Sequence, residues 1–389
     1  MSARDAYPGA RAADLFREAA EIELAAILLE PPRPGWRGAV ESLAREVEAP
    51  DLRAAARMGP ETAERKGTSK GHGAAGSQGI YLRLSVTESC NLRCRYCRPE
   101  RDRSAPERAG ASDAEIADLV SLIGEELGIR RLRITGGEPL LRPRLPELAA
   151  EIKRRLPEAT FAITTNGLLL RRHAAALRAA GIDGVNVSLD APEEAAFSAI
   201  ARGGGLERVL EGIRAAREAG FDPVKLNCVL LETLNGRSLE DLVRFAARAG
   251  CEIRFIELMP LGEGARIFEA EYVPASEALR RLSAAFEHLG SEPPSATARR
   301  HRLRVDGREI VVGFIAPVSE PFCAGCDRLR LDCGGRLFSC LRAEDGVELL
   351  PPLRAGERAL VRRQIRRCFS EKRPPGGIWP ERHMSAIGG

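Results

Sequence analysis

From Ile80 onward the chain repeats one unit, a short β-rich run followed by a longer amphipathic helical run. The six strand-like runs cover residues 80–86, 131–135, 160–165, 184–189, 224–230 and 252–258. Between them lie helical stretches such as 113–127, opened by Ser112 and Glu115 at capping-box spacing, and 239–249, preceded by Ser238. Six βα units in a row require a parallel sheet, either open or curled into a partial barrel. The fold class expected is therefore α/β, a partial (β/α)6 TIM-like barrel.

Side chains alternate along a strand, so each run divides into two faces. Leu82, Leu84 and Val86 oppose Tyr81, Arg83 and Ser85; Leu132 and Ile134 oppose Arg131, Arg133 and Thr135; Leu226, Cys228 and Leu230 oppose Lys225 and Asn227. The apolar set suits the outer surface, which crossover helices cover. The polar set, with Arg83, Arg133, Thr164, Ser188 and Lys225, then lines the inside of a curved sheet. Unpaired buried cations are too costly for a sealed core, so that lining must meet water or a charged ligand. The alternative is an open sheet with one solvated face.

The flanks differ from this centre. Residues 1–66 read as a helical N-terminal extension broken at Pro31, Pro32 and Pro34, and residues 67–79 have the composition of a flexible linker. The barrel is expected over 80–290 and a smaller α+β region over 291–389. In that region 301–305 and 309–314, joined by Asp306-Gly307, read as a hairpin. The first residues carry Asp5, Asp14 and Glu18 where a secretory leader would be basic and then apolar, and no run reaches a membrane span. A cytoplasmic address is expected, without membrane or nucleic-acid partners, since a net charge of +4 is small and dispersed.

Ten cysteines in a chain long enough to build its own core point to metal or redox chemistry in a reducing compartment. Cys90-x3-Cys94-x2-Cys97 directly follows the first strand. Three thiolates at that spacing can wrap one iron-sulfur cluster and leave its fourth iron open to a small molecule. Zinc would want a fourth ligand, and none of the five histidines is near in sequence. Cys323-x2-Cys326-x13-Cys340 repeats the logic, with Arg328 and Arg330 sharing a face if their segment is a strand. Here zinc is a fairer rival, because Cys333 can complete a four-cysteine set. Cys228, Cys251 and Cys368 stand apart and read as packing or surface thiols.

The first cysteine motif, together with Thr135-Gly136-Gly137-Glu138-Pro139 after the second strand, resembles the radical S-adenosylmethionine (SAM) superfamily. The wider set, LRLSVTESCNLRCRYC, RLRITGGEPLLR, ITTNG, VNVSLDA, VKLNCVL, RFIELMPLG, FCAGCDRLRL and the terminal MSAIGG, resembles the GTP 3′,8-cyclase family of molybdenum-cofactor biosynthesis over residues 80–389. The resemblance implies two [4Fe-4S] clusters and SAM, whose reductive cleavage gives a 5′-deoxyadenosyl radical. That radical removes the 3′ hydrogen of GTP so that C3′ joins guanine C8, the first step of molybdopterin biosynthesis. It implies that Cys90, Cys94 and Cys97 hold the first cluster and that Tyr96, Gly137, Ser188 and Met259 contact SAM. Arg83, Arg133, Thr164 and Lys225 then contact GTP. Cys323, Cys326 and Cys340 hold the second cluster beside Arg328 and Arg330, and the Gly388-Gly389 tail reaches the site. Partners implied are GTP, an electron donor such as flavodoxin or ferredoxin, the next enzyme of the pathway, and a second copy in a homodimer.

Two departures stand out. Arg98 takes the place of the family's usual methionine, and the following RDRSAPERAG lacks the family's usual glycine after the acidic residue. The rival readings are a radical SAM peptide maturase with a C-terminal auxiliary cluster and a non-catalytic iron-sulfur or zinc scaffold.

Overall fold

The computed structural model describes residues 79–100, 110–293, 297–323, 325–372 and 379–380. The N-terminal extension over 1–66, the linker up to residue 78, the altered loop over 101–109 and the Gly388-Gly389 tail lie outside the described residues. All six expected strands are present: β1 (Ile80–Ser85), β2 (Ile129–Thr135), β3 (Thr160–Thr165), β4 (Gly184–Ser188), β5 (Lys225–Leu230) and β6 (Glu252–Glu257). Each pairs in parallel with the next.

The helices between them include α1 (Asp113–Leu127), α2 (Leu145–Arg155), α3 (Leu170–Ala179), α4 (Glu194–Ala201), α5 (Leu206–Glu218) and α6 (Leu239–Arg248). The start of α1 is set by local chemistry. Ser112 Oγ accepts from the Glu115 amide while the Glu115 carboxylate accepts from the Ser112 amide at 2.8 Å, so two otherwise orphaned donors are satisfied. In α6, Leu239, Leu242, Val243 and Ala246 are buried at helical spacing and form its core-facing stripe.

Leu82, Leu84, Leu132, Ile134, Phe161, Ile163, Val187, Leu226 and Phe255 are fully or almost fully buried. They form the outer layer between sheet and helices, and truncating one of these leucines to alanine costs about 2–5 kcal/mol. The opposite face turns toward a cavity, as the alternation requires.

After α7 (Glu263–Glu271) and α8 (Ala275–Ala285) come β7 (Glu287–Ser291), β8 (Arg299–Val305) and β9 (Arg308–Ile315). Asp306 and Gly307 both adopt positive φ, 49° and 79°, which matches a tight hairpin turn to the right-handed twist of β8 and β9. β10 (Arg328–Leu331), β11 (Arg336–Phe338) and β12 (Val347–Glu348) follow, then α9 (Leu350–Arg354) and α10 (Arg358–Ser370).

The C-terminal region is α+β in content, yet its strands continue the barrel sheet. β9 pairs in parallel with β6, and β10 in parallel with β1. The single twelve-stranded sheet runs β12-β11-β10-β1-β2-β3-β4-β5-β6-β9-β8-β7, with antiparallel ribbons at both edges and no closure between them. Both ends of the partial barrel are thus walled by chain from beyond residue 300. On the outside, Arg354 pairs with Glu115 at 2.7 Å and Arg362 with Glu126 at 2.8 Å, tying α9 and α10 to α1.

Replacing Ser112 by alanine removes the cap and is expected to cost about 1 kcal/mol, a fall in Tm of about 2–4 °C. Thermal unfolding of the variant checks this; an unchanged midpoint would show that the cap contributes nothing.

Candidate active site

The first cysteine loop leaves the C-terminal end of β1, the end of a parallel barrel where side chains from several strands converge. Its backbone caps α4: the amides of Arg93 and Arg95 donate to the carbonyls of Ala201 and Ile200, each at 3.0 Å, and Arg95 Nε donates to the Ala199 carbonyl at 2.8 Å. Tyr96 is buried, and its hydroxyl donates to Asp190 Oδ2 at 2.7 Å. The Gly136-Gly137-Glu138 segment lies directly against this loop. The Gly137 amide donates to the Thr87 carbonyl at 2.7 Å, and a Cβ on Gly137 would lie 2.2 Å from the Ser89 oxygen, so no other residue fits. Glu138 accepts from the amides of Leu140 and Asn166 and from the Thr165 hydroxyl. Burial nevertheless pushes its carboxyl up to about 7.

Cys90, Cys94 and Cys97 line one cavity of about 690 Å³, and so do Cys323, Cys326 and Cys340. The Cys94 thiol is raised well above its ordinary pKa by burial, then by Asp190 and by the other two thiols. Three thiols in that setting become thiolates only around a cationic centre, so the donor set fits an iron-sulfur cluster. Backbone N–H groups already point at these sulfurs: Leu92 at Cys90 and Arg342 at Cys340, each at 3.4 Å. Cys333 stands outside the cavity wall, with its carbonyl accepting from the Ala111 amide. Cys228, Cys251 and Cys368 are buried, as packing thiols are.

Of the residues expected to contact SAM, Tyr96, Gly137, Ser188 and Met259 all line the cavity. Of those expected at GTP, Arg83, Arg133, Thr164, Arg328 and Arg330 do so. Arg328 and Arg330 share the inner face of β10 while Leu329 and Leu331 are fully buried on the other.

Lys225, the first residue of β5, is half-buried on the same face as Asn227; it pairs with Asn186 of β4 and Glu252 of β6, while Asn227 pairs with Ser188 and Arg254. Asn227 and Arg254 line the cavity and Lys225 does not. Burial and then the Arg254 charge lower its pKa. Arg254 lies outside the set expected from sequence, although alternation along β6 marks it, between the buried Ile253 and Phe255. Asp190, Arg342, Lys372 and Trp379 also join the wall, on loops where periodicity carries no signal.

The lining holds eight arginine or lysine side chains against two carboxylates, Glu138 and Asp190. Arg330 is almost fully buried, and burial followed by the Arg83 charge presses its pKa well down. A cavity so biased suits a multiply charged anion. At its floor the Tyr81 ring has the guanidinium groups of Arg131, Arg133 and Arg328 at 5.3, 5.9 and 5.9 Å, and Arg133 Nε donates to its hydroxyl at 2.5 Å.

Comparison with known proteins agrees with this geometry. Residues 84–246 match the Radical SAM superfamily, and residues 251–376 match the family described as Molybdenum Cofactor Synthesis C. A "GTP 3′,8-cyclase" of Rhodopirellula baltica is 43% identical over 321 residues, covering 79% of this chain and 89% of that protein. The chain belongs to the GTP 3′,8-cyclase family. Relatives of the same name from Peptoclostridium acidaminophilum, at 40% identity, and Streptomyces coelicolor, at 41%, each cover 79% of this chain and 95% and 93% of their own lengths. The family's radical SAM fold and iron-sulfur chemistry accord with the partial barrel and with thiol triads placed on its cavity.

Burial alone raises the Tyr81 pKa, but Arg133, Arg83 and Arg328 outweigh it and hold the phenol at about 8. Above that pH the phenolate offsets one cation, so affinity for a polyanionic ligand should fall on the alkaline side. In Tyr81→Phe this decline should vanish. Tyrosinate absorbance followed against pH, alongside ligand affinity, checks both; titration of every tyrosine near 10 would contradict the reading.

Proposed function

We propose that the protein is a GTP 3′,8-cyclase that binds GTP between two iron-sulfur sites and joins ribose C3′ to guanine C8, giving 3′,8-cyclo-7,8-dihydro-GTP. One observation carries this reading: a single cavity has both cysteine triads and a strongly cationic lining on its wall. Curated relatives of that name, matched over most of their length, support it, and none of those quoted supports a peptide substrate.

Cys90, Cys94 and Cys97 hold one [4Fe-4S] cluster, with SAM seated against Tyr96, Gly137, Ser188 and Met259. When bound, this cofactor pair supplies hydrogen-atom abstraction from the ribose. The chain's own side chains bind, orient and exclude water. Arg83, Arg133 and Arg254 reach inward from β1, β2 and β6 and meet the triphosphate, whose charge of about −4 they offset by charge-assisted hydrogen bonds. Thr164 Oγ1 accepts from Arg133 Nη1 at 3.3 Å and fixes the aim of that guanidinium. Lys225, on the same face of β5, belongs to this triphosphate-binding set. Cys323, Cys326 and Cys340 would hold the second cluster, which would supply an iron for the guanine, with Arg328 and Arg330 beside that base. The apolar layer between sheet and helices keeps water from the reacting ribose on that side.

Residues 80–290 and 291–389 are then two working regions on one continuous sheet, the first for SAM and the second for the base. A role for the Gly388-Gly389 tail, which lies outside the described residues, belongs to the same proposal. A low-potential donor such as flavodoxin or ferredoxin, the next enzyme of the pathway, a homodimeric partner and a reducing, cytoplasmic setting belong to the same proposal. Among the described residues no helix is long and apolar enough to cross a membrane.

Arg328→Ala should weaken GTP binding about 10- to 100-fold, the worth of a hydrogen bond to a charged group, while the first cluster still assembles. Equilibrium binding of GTP to anaerobically reconstituted protein measures it. Undiminished affinity would remove Arg328 from the substrate site.

A further inference from the structure

We propose that Lys372 is a positioning residue for the second cluster, its ammonium stapling together the two chain segments that carry Cys326 and Cys340. The proposal rests on the reading that Cys323, Cys326 and Cys340 hold a cluster.

β10 and β11 part company at a strand end. β10 and β11 form an antiparallel ladder, with Leu331 opposite Leu337 and Arg330 opposite Phe338. There β11 ends, and the chain turns away through Ser339 into Cys340. Continuing the register would bring Ser339 opposite Leu329, but the ladder has already opened. On its other side β10 pairs with β1, where the Tyr81 amide takes the Asp327 carbonyl at 3.1 Å. Carbonyls alternate in direction along a strand, so the Arg328 carbonyl faces away from β1 and toward the missing continuation of β11. At the mouth of the opened ladder the Arg328 and Ser339 carbonyls both take donors from one side chain.

Lys372 supplies both. It follows α10, and its Nζ donates to the Arg328 carbonyl at 2.7 Å and also to the Ser339 carbonyl. Arg328 is two residues after Cys326, and Ser339 immediately precedes Cys340. One ammonium thus spans two ligand-bearing segments, just beyond the last paired residues of β10 and β11. Lys372 lines the same cavity as the three cysteines. An ammonium has three donors in a compact head, which suits two converging carbonyls better than any neutral side chain of equal length. α10 is itself anchored from outside through Arg362 and Glu126, so the staple is referred to the helical shell and not to a free tail.

A residue acting in this way should affect the second cluster and spare the first. The test uses full-length protein reconstituted anaerobically, as wild type, Lys372→Met, Lys372→Gln and Lys372→Arg. Iron content, the spectroscopic signature of each cluster and the midpoint potential of the second are read in all four. Methionine keeps the length and removes every donor; iron is expected to fall from about eight to about four per chain, with the SAM-perturbed signal of the first cluster intact. Arginine, which can bridge two carbonyls, is expected to retain about eight, and glutamine, a neutral donor, to retain iron with a shifted second-cluster potential. The first-cluster signal is the internal control for folding. A methionine variant with full iron and an unchanged second-cluster signature and potential would overturn the proposal. If wild type instead binds about four irons and one zinc, the cluster reading fails, and the staple is judged on zinc: lost in Lys372→Met it stands, kept it falls.

Discussion

A cavity that turns eight cations inward against two carboxylates is unstable by its own electrostatics, and the rest of the molecule can be understood as making that arrangement tolerable. The outer face of the sheet is apolar and sealed by helices, so folding is driven from outside the barrel and not from its lumen. The lumen is free to be polar because it need not supply the core. Arg83, Arg133, Arg254, Arg328 and Arg330 come from four different strands, Arg133 is held by Tyr81 and Thr164, and Lys372 by two backbone carbonyls. Binding a nucleotide triphosphate then relieves repulsion already present in the protein, which is how binding energy becomes available for orienting the ribose.

The same strand, β1, serves both halves of the site. Its C-terminal end launches the first cysteine loop, and its edge pairs with β10, which brings Arg328, Arg330 and the second triad into the same cavity. Extending the sheet with β10 at one edge and β9 at the other gives the partial barrel walls that six βα units cannot provide by themselves. The two triads are far apart in sequence but answer to one piece of sheet geometry.

Much of this is legible in sequence because it is written locally. Strand period, the Ser112 cap and the Asp306-Gly307 turn depend on neighbours within a few residues, and each appears where those neighbours require it. The inward placement of Arg83, Arg133, Arg328 and Arg330 follows from alternation alone. What is not legible is relational. That Arg254 joins the lining beside Asn227 depends on the register between β5 and β6. That β9 and β10 extend the barrel sheet depends on pairings across more than 50 residues, which periodicity cannot report. Asp190 and Lys372 act from irregular segments, where only the folded chain shows which carbonyl or hydroxyl they meet. Exclusion of Cys333 from the wall is a fact of the same kind.

The central claim is that a nucleotide held between the two triads gives up a specific ribose hydrogen. Anaerobic turnover of reconstituted protein with SAM and GTP deuterated at C3′ tests it most directly. The account predicts one deuterium in the 5′-deoxyadenosine formed, together with a product in which C3′ is bonded to C8. Unlabelled 5′-deoxyadenosine, or its release with GTP recovered unchanged, would contradict it.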